Sequence, residues 1–401
     1  MTQPLPPASL SRRCDLQVLA CETSKDLTPL EIIIGQERAV RALRFGLAIK
    51  QQGFNIFVAG LPGTGRTTTV ERFLAQQAKD KPTPGDWCYA YNFADPYHPR
   101  SLALPVGRGK QLQADMKTLV EAVTREIRKA FESEEYALKR EESVREFRRR
   151  REELFNKINE KAQEQGFLIQ STSVGLLTIP VVNGKPLEEE EFMALSAQER
   201  EVLSEKRNAL QDDLKAAVRQ ARAMEKSIAD RLGEVDREVA LFVIGPQIDE
   251  LQEKYQECEQ VTEYLDAVQN DILENLEQFR DERQEQPQGP FPMPGGAERH
   301  KRYEVNVLVD NSSASGAPVV AEFNPTYNNL FGRIEKEAQF GALVTDFTMI
   351  RSGSLHRANG GFLVLPAEEL LRDPFSWDGI KRAIRNREIT IEEAAERLGY
   401  M

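Results

Sequence analysis

The chain has 401 residues, 29% of them charged, and a formal net charge of -11. That length provides for two or three domains, each with its own buried core, while the acidic balance argues against a long nucleic-acid track, which needs positive charge clustered on one face. No apolar run reaches the length of a membrane span, and the basic N-terminal stretch MTQPLPPASLSRRCDLQ lacks the apolar core of a secretion signal. The expectation is a cytoplasmic protein with no membrane partner, and the spacing of Cys14, Cys21, Cys88 and Cys258 fits neither a zinc half-site nor a disulfide framework.

Residues 1–29 read as an N-terminal extension. From 30 to 108, short β-rich segments at Asn55–Ala59 and Trp87–Asn92 alternate with helical patterns, which is the grammar of an α/β domain. Within it, FNIFVAGLPGTGRTTTVERFL runs from an apolar strand through Gly60, Leu61, Pro62, Gly63, Thr64, Gly65, Arg66, Thr67 and Thr68 into a helix. This is the P-loop pattern GxxxxGK[ST] with arginine in the lysine position. Glycines let backbone N–H groups turn inward around a phosphate, the helix N-terminus adds its positive end, and Thr67 places a hydroxyl where Mg²⁺ sits. ATP or ADP, with Mg²⁺, is the expected ligand; a glycine-rich turn without a ligand is the bland alternative, and the strand-loop-helix context argues against it. Arg66 keeps the charge, but its flat fork cannot serve as a compact point charge between β- and γ-phosphates, which weakens hydrolysis more than binding.

From 109 to 286 the chain turns charged and helical. Leu112, Met116, Leu119, Val123 and Ile127 recur at steps of three or four; Leu210, Leu214, Val218, Met224, Ile228, Leu232, Val235 and Val239 do the same, and a third run spans 251–279. The basic run Arg148–Arg151 is flanked by acids and reads as a solvated helix face. Between the first two runs, GFLIQSTSVGLLTIPVVNGKPL is rich in β-branched residues and carries an Asn183-Gly184 turn signal, so a small β element should cap the far end of two helical arms. A Pro/Gly-rich linker follows at 287–300.

Residues 301–401 return to strand-like YEVNVLVD and GGFLVLP. A hydrolysing P-loop enzyme needs a carboxylate at the end of a neighbouring strand. After Phe362–Leu365 this chain has Pro366 and Ala367, with Glu368 and Glu369 following, so impaired hydrolysis is expected; Glu368 or Glu369 reaching the metal through a shifted turn, and both as ordinary first-turn helix acids, are the alternatives. His98 and His356 lack an acid partner at a telling spacing and read as structural. Tyr327, Asn328, Asn329 and Phe331 read as a pore or inter-subunit loop.

GLPGTGRTTTVERFL, DWCYAYNFADPYHPRSLALPVGRG, NPTYNNLFGRIEKEAQFGALVTDFTMIRSGSLHRANGGFLVLPAEELL and PFSWDGIKRAIR together resemble the ATPase region of bacterial Lon-related ATP-dependent proteases. The resemblance implies an AAA+ P-loop domain, its first part at 30–108 and its second at 301–401, interrupted by a helical, coiled-coil-like insertion with a small β element. It also implies that Ile34 and Gly35 cover the adenine, that subunits form a hexameric ring acting on unfolded or damaged proteins, and that a Ser-Lys peptidase half follows. No residue here can be assigned to that dyad, so whether the chain itself is an enzyme stays open. Because an AAA+ sheet of order 5-1-4-3-2 takes a further strand after Walker B, the end at Met401 reads as a fragment, a split gene product or a truncated frame. Two rivals stand beside this reading: a regulator or scaffold that binds nucleotide without hydrolysing it, and a coiled-coil DNA-repair ATPase, which needs an LSGGQ-like signature where this chain has RSGSLHRANGG.

Overall fold

The computed structural model describes residues 6, 21–27, 36–49, 51, 53–61, 63–172, 175–182, 185–187, 196–280, 300–339 and 342–392. Ile34, Gly35, Pro62, the Asn183-Gly184 turn and residues 287–299 of the expected linker lie outside them. The chain divides into two compact units, residues 1–81 and 82–401.

In the first unit, helix α1 (Glu37–Ala48) buries Leu43, and α2 (Arg66–Lys79) buries Phe73, Leu74 and Ala78. The strand expected at Asn55–Ala59 is not formed among the described residues: 54–61 carry no ladder, and Phe54, Ile56 and Phe57 are exposed. The physical reason is that a helix closes its hydrogen bonds within itself, whereas a strand exists only beside a partner.

The second unit opens with β1 (Asp86–Ala90) and β2 (Arg100–Leu104), paired antiparallel from Asp86 opposite Leu104 to Ala90 opposite Arg100. Helix α3 (Arg108–Phe131) follows, and its predicted stripe of Leu112, Met116, Leu119, Val123 and Ile127 is fully inside. A break at Glu132–Ser133 separates it from α4 (Glu134–Glu164), where the Ser133 hydroxyl accepts the Tyr136 N–H and so caps the new helix. Strands β3 (Phe167–Thr172), β4 (Gly175–Val182) and β5 (Lys185–Pro186) form a three-stranded antiparallel sheet. Helix α5 (Ala197–Lys254) then returns along α4 and α3, and α6 (Glu259–Glu274) and α7 (Glu277–Arg280) complete the helical region.

The register of this return is regular. Ile158 packs with Leu214 and Ala217, Lys161 meets Asp213 at 2.5 Å, Tyr136 meets Asp236 at 2.7 Å, and Asp115 meets Lys254 at 2.6 Å. The sheet of β3–β5 rests on this pair through Phe167 and Ile169. Two facing helices cannot enclose each other's whole apolar stripe, so Met224, Ile228 and Leu232 of α5 stay half-buried, while Ala240, Ile244 and Ile248 nearer the base are fully inside.

Chain return is marked by β6 (Val305–Val309), which adds to the other edge of β1 to give the order β2-β1-β6. The base core therefore layers this sheet against α3, α6 and the end of α5, with Tyr255, Tyr264, Phe279 and Tyr303 among its largest buried side chains. Asp86, fully buried, ties the pieces together: its two carboxylate oxygens accept the N–H groups of Gly109 and Asn311, each at 2.9 Å. The remaining elements are β7 (Val319–Ala321), α8 (Tyr327–Phe331), β8 (Arg333–Ile334), β9 (Glu337–Gln339), β10 (Ala342–Val344), β11 (Ile350–Arg351), α9 (Ser354–Arg357), β12 (Phe362–Val364), α10 (Ala367–Arg372) and α11 (Pro374–Asn386). Of these, β7 and β12 pair in parallel, Phe362 opposite Val319 and Val364 opposite Ala321. No helix among the described residues is long and apolar enough to cross a membrane.

Candidate nucleotide-binding site

Of the strand, loop and helix expected around the motif at 60–68, the helix α2 is formed, while the stretch before the motif carries no ladder among the described residues. Gly63 and Gly65 hold φ of 78° and 72°, in the left-handed region that glycine adopts without strain. Gly65 is the N-cap of α2; its carbonyl accepts the Thr69 N–H at 2.9 Å, and no side chain caps the helix. No acid stands in the first turn, so the positive end of α2 is not neutralised by its own sequence. Gly60, Leu61, Thr64, Arg66, Thr67 and Thr68 are all exposed. Thr64 donates its hydroxyl to the Leu61 carbonyl at 2.8 Å, and Arg66 reaches back to donate Nη1–H to the Gly60 carbonyl at 2.9 Å. The arginine thus braces the loop across its own mouth, which a lysine ammonium would do with a single rotating point charge.

The second candidate region lies at the carboxyl ends of the parallel strands β7 and β12, the side of a parallel pair where ligands bind in α/β folds. Past β12, Pro366 caps α10 and Ala367 begins it, so neither supplies a carboxylate. Glu368 and Glu369 stand exposed in the first turn, and Glu369 accepts from Arg372 at 2.7 Å. The fold brings a different acid to this edge. Glu322 directly follows β7, donates its backbone N–H to Val364, and accepts the buried Ser354 hydroxyl at 2.8 Å, with Arg357 3.8 Å away. Sequence reasoning passed over it because one acid after a three-residue strand has no motif; the signal in VVAEFNP was an acid ending a β-branched run.

Ser354 also donates to the Asn329 carbonyl, fastening the end of α8 to α9. There, Gly353 passes so close to the Leu330 carbonyl that any side-chain carbon would collide with it. His356 accepts the Gly353 N–H through Nδ1, and burial pushes its pKa down to about 4, so its ring is neutral.

Two expectations change here. Tyr327 and Phe331 do not form a loop surface: they stack on each other at 4.3 Å and pack with Leu330, Leu370 and Ile380, because both sit on the inner face of the short helix α8. His98 does have an acid partner, Asp95, at 2.8 Å, since the turn 95–98 folds the two side chains together; both are largely exposed. Among the described residues there is no group of histidine, cysteine and acidic side chains that could hold a metal ion by itself.

The class these features define is a mixed helix-and-sheet protein with an AAA-type segment. Residues 315–401, which contain β7, β12, α10 and α11, match the family described as LonB-like, AAA domain. Residues 86–119, from β1 into α3, match the family described as Lon-like LonC helical domain. The chain therefore carries a Lon-related AAA+ region. The phosphate loop lies outside both matched segments. No curated protein matches the chain.

Proposed function

We propose that this chain is the nucleotide-binding AAA+ portion of a Lon-like ATP-dependent protease, coupling ATP or ADP binding and ring assembly to degradation of unfolded or damaged proteins. The observation that carries the reading is the left-handed Gly63-Gly65 loop opening onto the uncapped, unneutralised N-terminus of α2, in a chain that also bears a LonB-like AAA segment. In this reading the loop Gly60–Thr68 holds the phosphates through the backbone N–H groups of its residues other than Pro62, which has none, Arg66 supplies charge, and Ile34 and Gly35 cover the base. Mg²⁺, when bound, would screen phosphate charge, with Thr67 offering its hydroxyl. The AAA+ domain comprises residues 30–108 and 301–401, with 109–286 an insertion and 287–300 a linker. No residue here is assigned to a peptidase dyad, and in this reading the subunits work as a cytoplasmic hexamer.

Hydrolysis is weak in this reading. Pro366 and Ala367 stand where a metal-binding and a water-polarising carboxylate are needed, and Glu369 is engaged by Arg372. These same observations favour a second reading, a regulator that binds nucleotide without turning it over. Titration of the full chain with a fluorescent ADP analogue tests the binding claim: Gly65→Val should weaken binding at least about 100-fold, since valine cannot adopt φ of 72° without strain, and Thr67→Ala should weaken it mainly when Mg²⁺ is present. Wild-type affinity in both variants sinks the phosphate-loop assignment. Phosphate release at saturating ATP then separates the readings, because a rate at background leaves the regulator.

A further inference from the structure

One stretch of α5 is held firmly on its inner side and presents an apolar surface on its outer side. Ala240, Ile244 and Ile248 are fully buried in the base core, in one cluster with Leu119, Val123 and Ile127 of α3, so the backbone between them is fixed. On the outer side Phe242 is 85% exposed, with Leu241 exposed beside it. One turn on, a Cβ added at Gly245 would meet no atom within 4 Å, which leaves a notch in the helix surface. Pro246, also exposed, has no N–H to give to the Phe242 carbonyl, so that acceptor lacks its helical donor. Glu238, Phe242 and Pro246 follow at steps of four and form one row along the helix.

A second exposed row lies on α11. Trp377, Lys381 and Arg385 are again at steps of four and all exposed, with Ile384 exposed beside them. The helix turns its other side inward, where Ile380 packs with Tyr327 and Phe331. Lys381 lies 5.4 Å from the Trp377 ring and pairs with Asp378 at 2.6 Å on the same helix, an exposed contact that costs little to exchange. Arg385 and Glu238 differ from it: among the described residues neither has a hydrogen-bond or ion-pair partner.

Laid antiparallel, the two rows complement each other position by position. Arg385 falls opposite Glu238, Lys381 opposite the Phe242 ring, and Trp377 opposite the notch at Gly245 and Pro246. A guanidinium thus meets an unpaired carboxylate, an ammonium meets an aromatic face, and the bulkiest side chain meets the position without one. Rows at steps of four packing into each other is also the commonest way for two helices to meet. Both rows are exposed in the single chain, so they do not meet within it. A second copy presents the matching row, and because the two rows differ, each copy uses both, head to tail, which builds rings or filaments rather than closed pairs.

We propose that the α5 row of Glu238, Phe242 and Pro246 in one copy docks on the α11 row of Trp377, Lys381 and Arg385 in the next. The inference rests on the ring-assembly part of the proposed function and names the faces that meet; it requires no nucleotide. Two helix rows are a small contact for a stable pair, so assembly should depend on concentration. Sedimentation velocity of the full chain over a concentration series tests it. Glu238→Arg and Arg385→Glu should each weaken self-association at least about tenfold, since each sets like charges against each other. An equimolar mixture of the two variants should recover wild-type assembly, because each then meets an opposite charge on the other. Phe242→Ala, which removes an exposed ring, should weaken association with unchanged helical content by circular dichroism. Wild-type association in both charge variants, or no recovery when the folded variants are mixed, overturns the docking and leaves ring assembly standing. A wild-type chain that is monomeric at every concentration overturns both.

Discussion

Arm and base are built from the same helices but are held by different means. In the arm, α4 faces α5 through a thin line of Ile158, Ala162, Leu210, Leu214 and Ala217, and its outer faces carry i,i+4 pairs such as Glu146 with Arg150. In the base, α3, α6 and the end of α5 close over a sheet, and Val123, Ile127, Val268 and Ile272 lose all exposure. A two-helix contact shields one stripe per helix, whereas a helix on a sheet with a second helix beside it is shielded over most of its girth. The lesson is that one apolar period in the sequence yields two very different depths of burial, depending on how many layers meet it.

The largest effect that sharpens this contrast is expected at Ile272→Ala. Removing a fully buried side chain from the base should cost about 2–5 kcal/mol, read as a shift in the urea midpoint. Should the loss fall under 1 kcal/mol, the base would be packed no better than the arm. Next comes Asp86→Ala, which strips the acceptor from two buried N–H groups, those of Gly109 and Asn311. Its cost should be about 2–4 kcal/mol, with faster amide exchange at both positions as the local readout; Asp86→Asn, keeping one acceptor oxygen, should recover part of it.

A pH effect of about 3 kcal/mol should come from His356. Burial holds its pKa at about 4 against 6.5 for the unfolded chain, so between these values only the unfolded state takes the proton. This contribution is complete above about pH 6.5 and is lost as the pH falls toward 4; urea titrations at several pH values should show a slope that His356→Asn flattens. The smallest effect is expected in the arm, where Glu146→Ala removes an exposed partner of Arg150 and should change stability by less than about 0.5 kcal/mol. A loss as large as that at Ile272 would erase the distinction between the two regions.

Much of the helical region was legible beforehand. The stripe from Leu112 to Ile127 lands fully buried on α3 because helical periodicity is local and the helix closes its own hydrogen bonds. The small β element between the arms was legible from its β-branched residues for a similar reason. The glycine-rich turn was legible at Gly63 and Gly65, which take the left-handed backbone angles that the motif's glycines suggest. The site was not legible at Glu322, whose place beside Val364 depends on a parallel pairing across forty residues, nor at Tyr327 and Phe331, whose aromatic-rich context reads the same on a loop as on the inner face of a short helix.

By itself the sequence determined the helices, the left-handed turn at Gly63 and Gly65 and the absence of carboxylates at Pro366 and Ala367, because each depends on residues within one or two turns of one another. Tertiary structure alone decided that Asn55–Ala59 forms no ladder among the described residues, that Asp86 joins β1, α3 and the end of β6, and that Arg280 reaches from the Phe131 ring across the α3-α4 break to Asp236 of α5. Those outcomes require partners from distant points of the chain, and no local period records which partner will arrive.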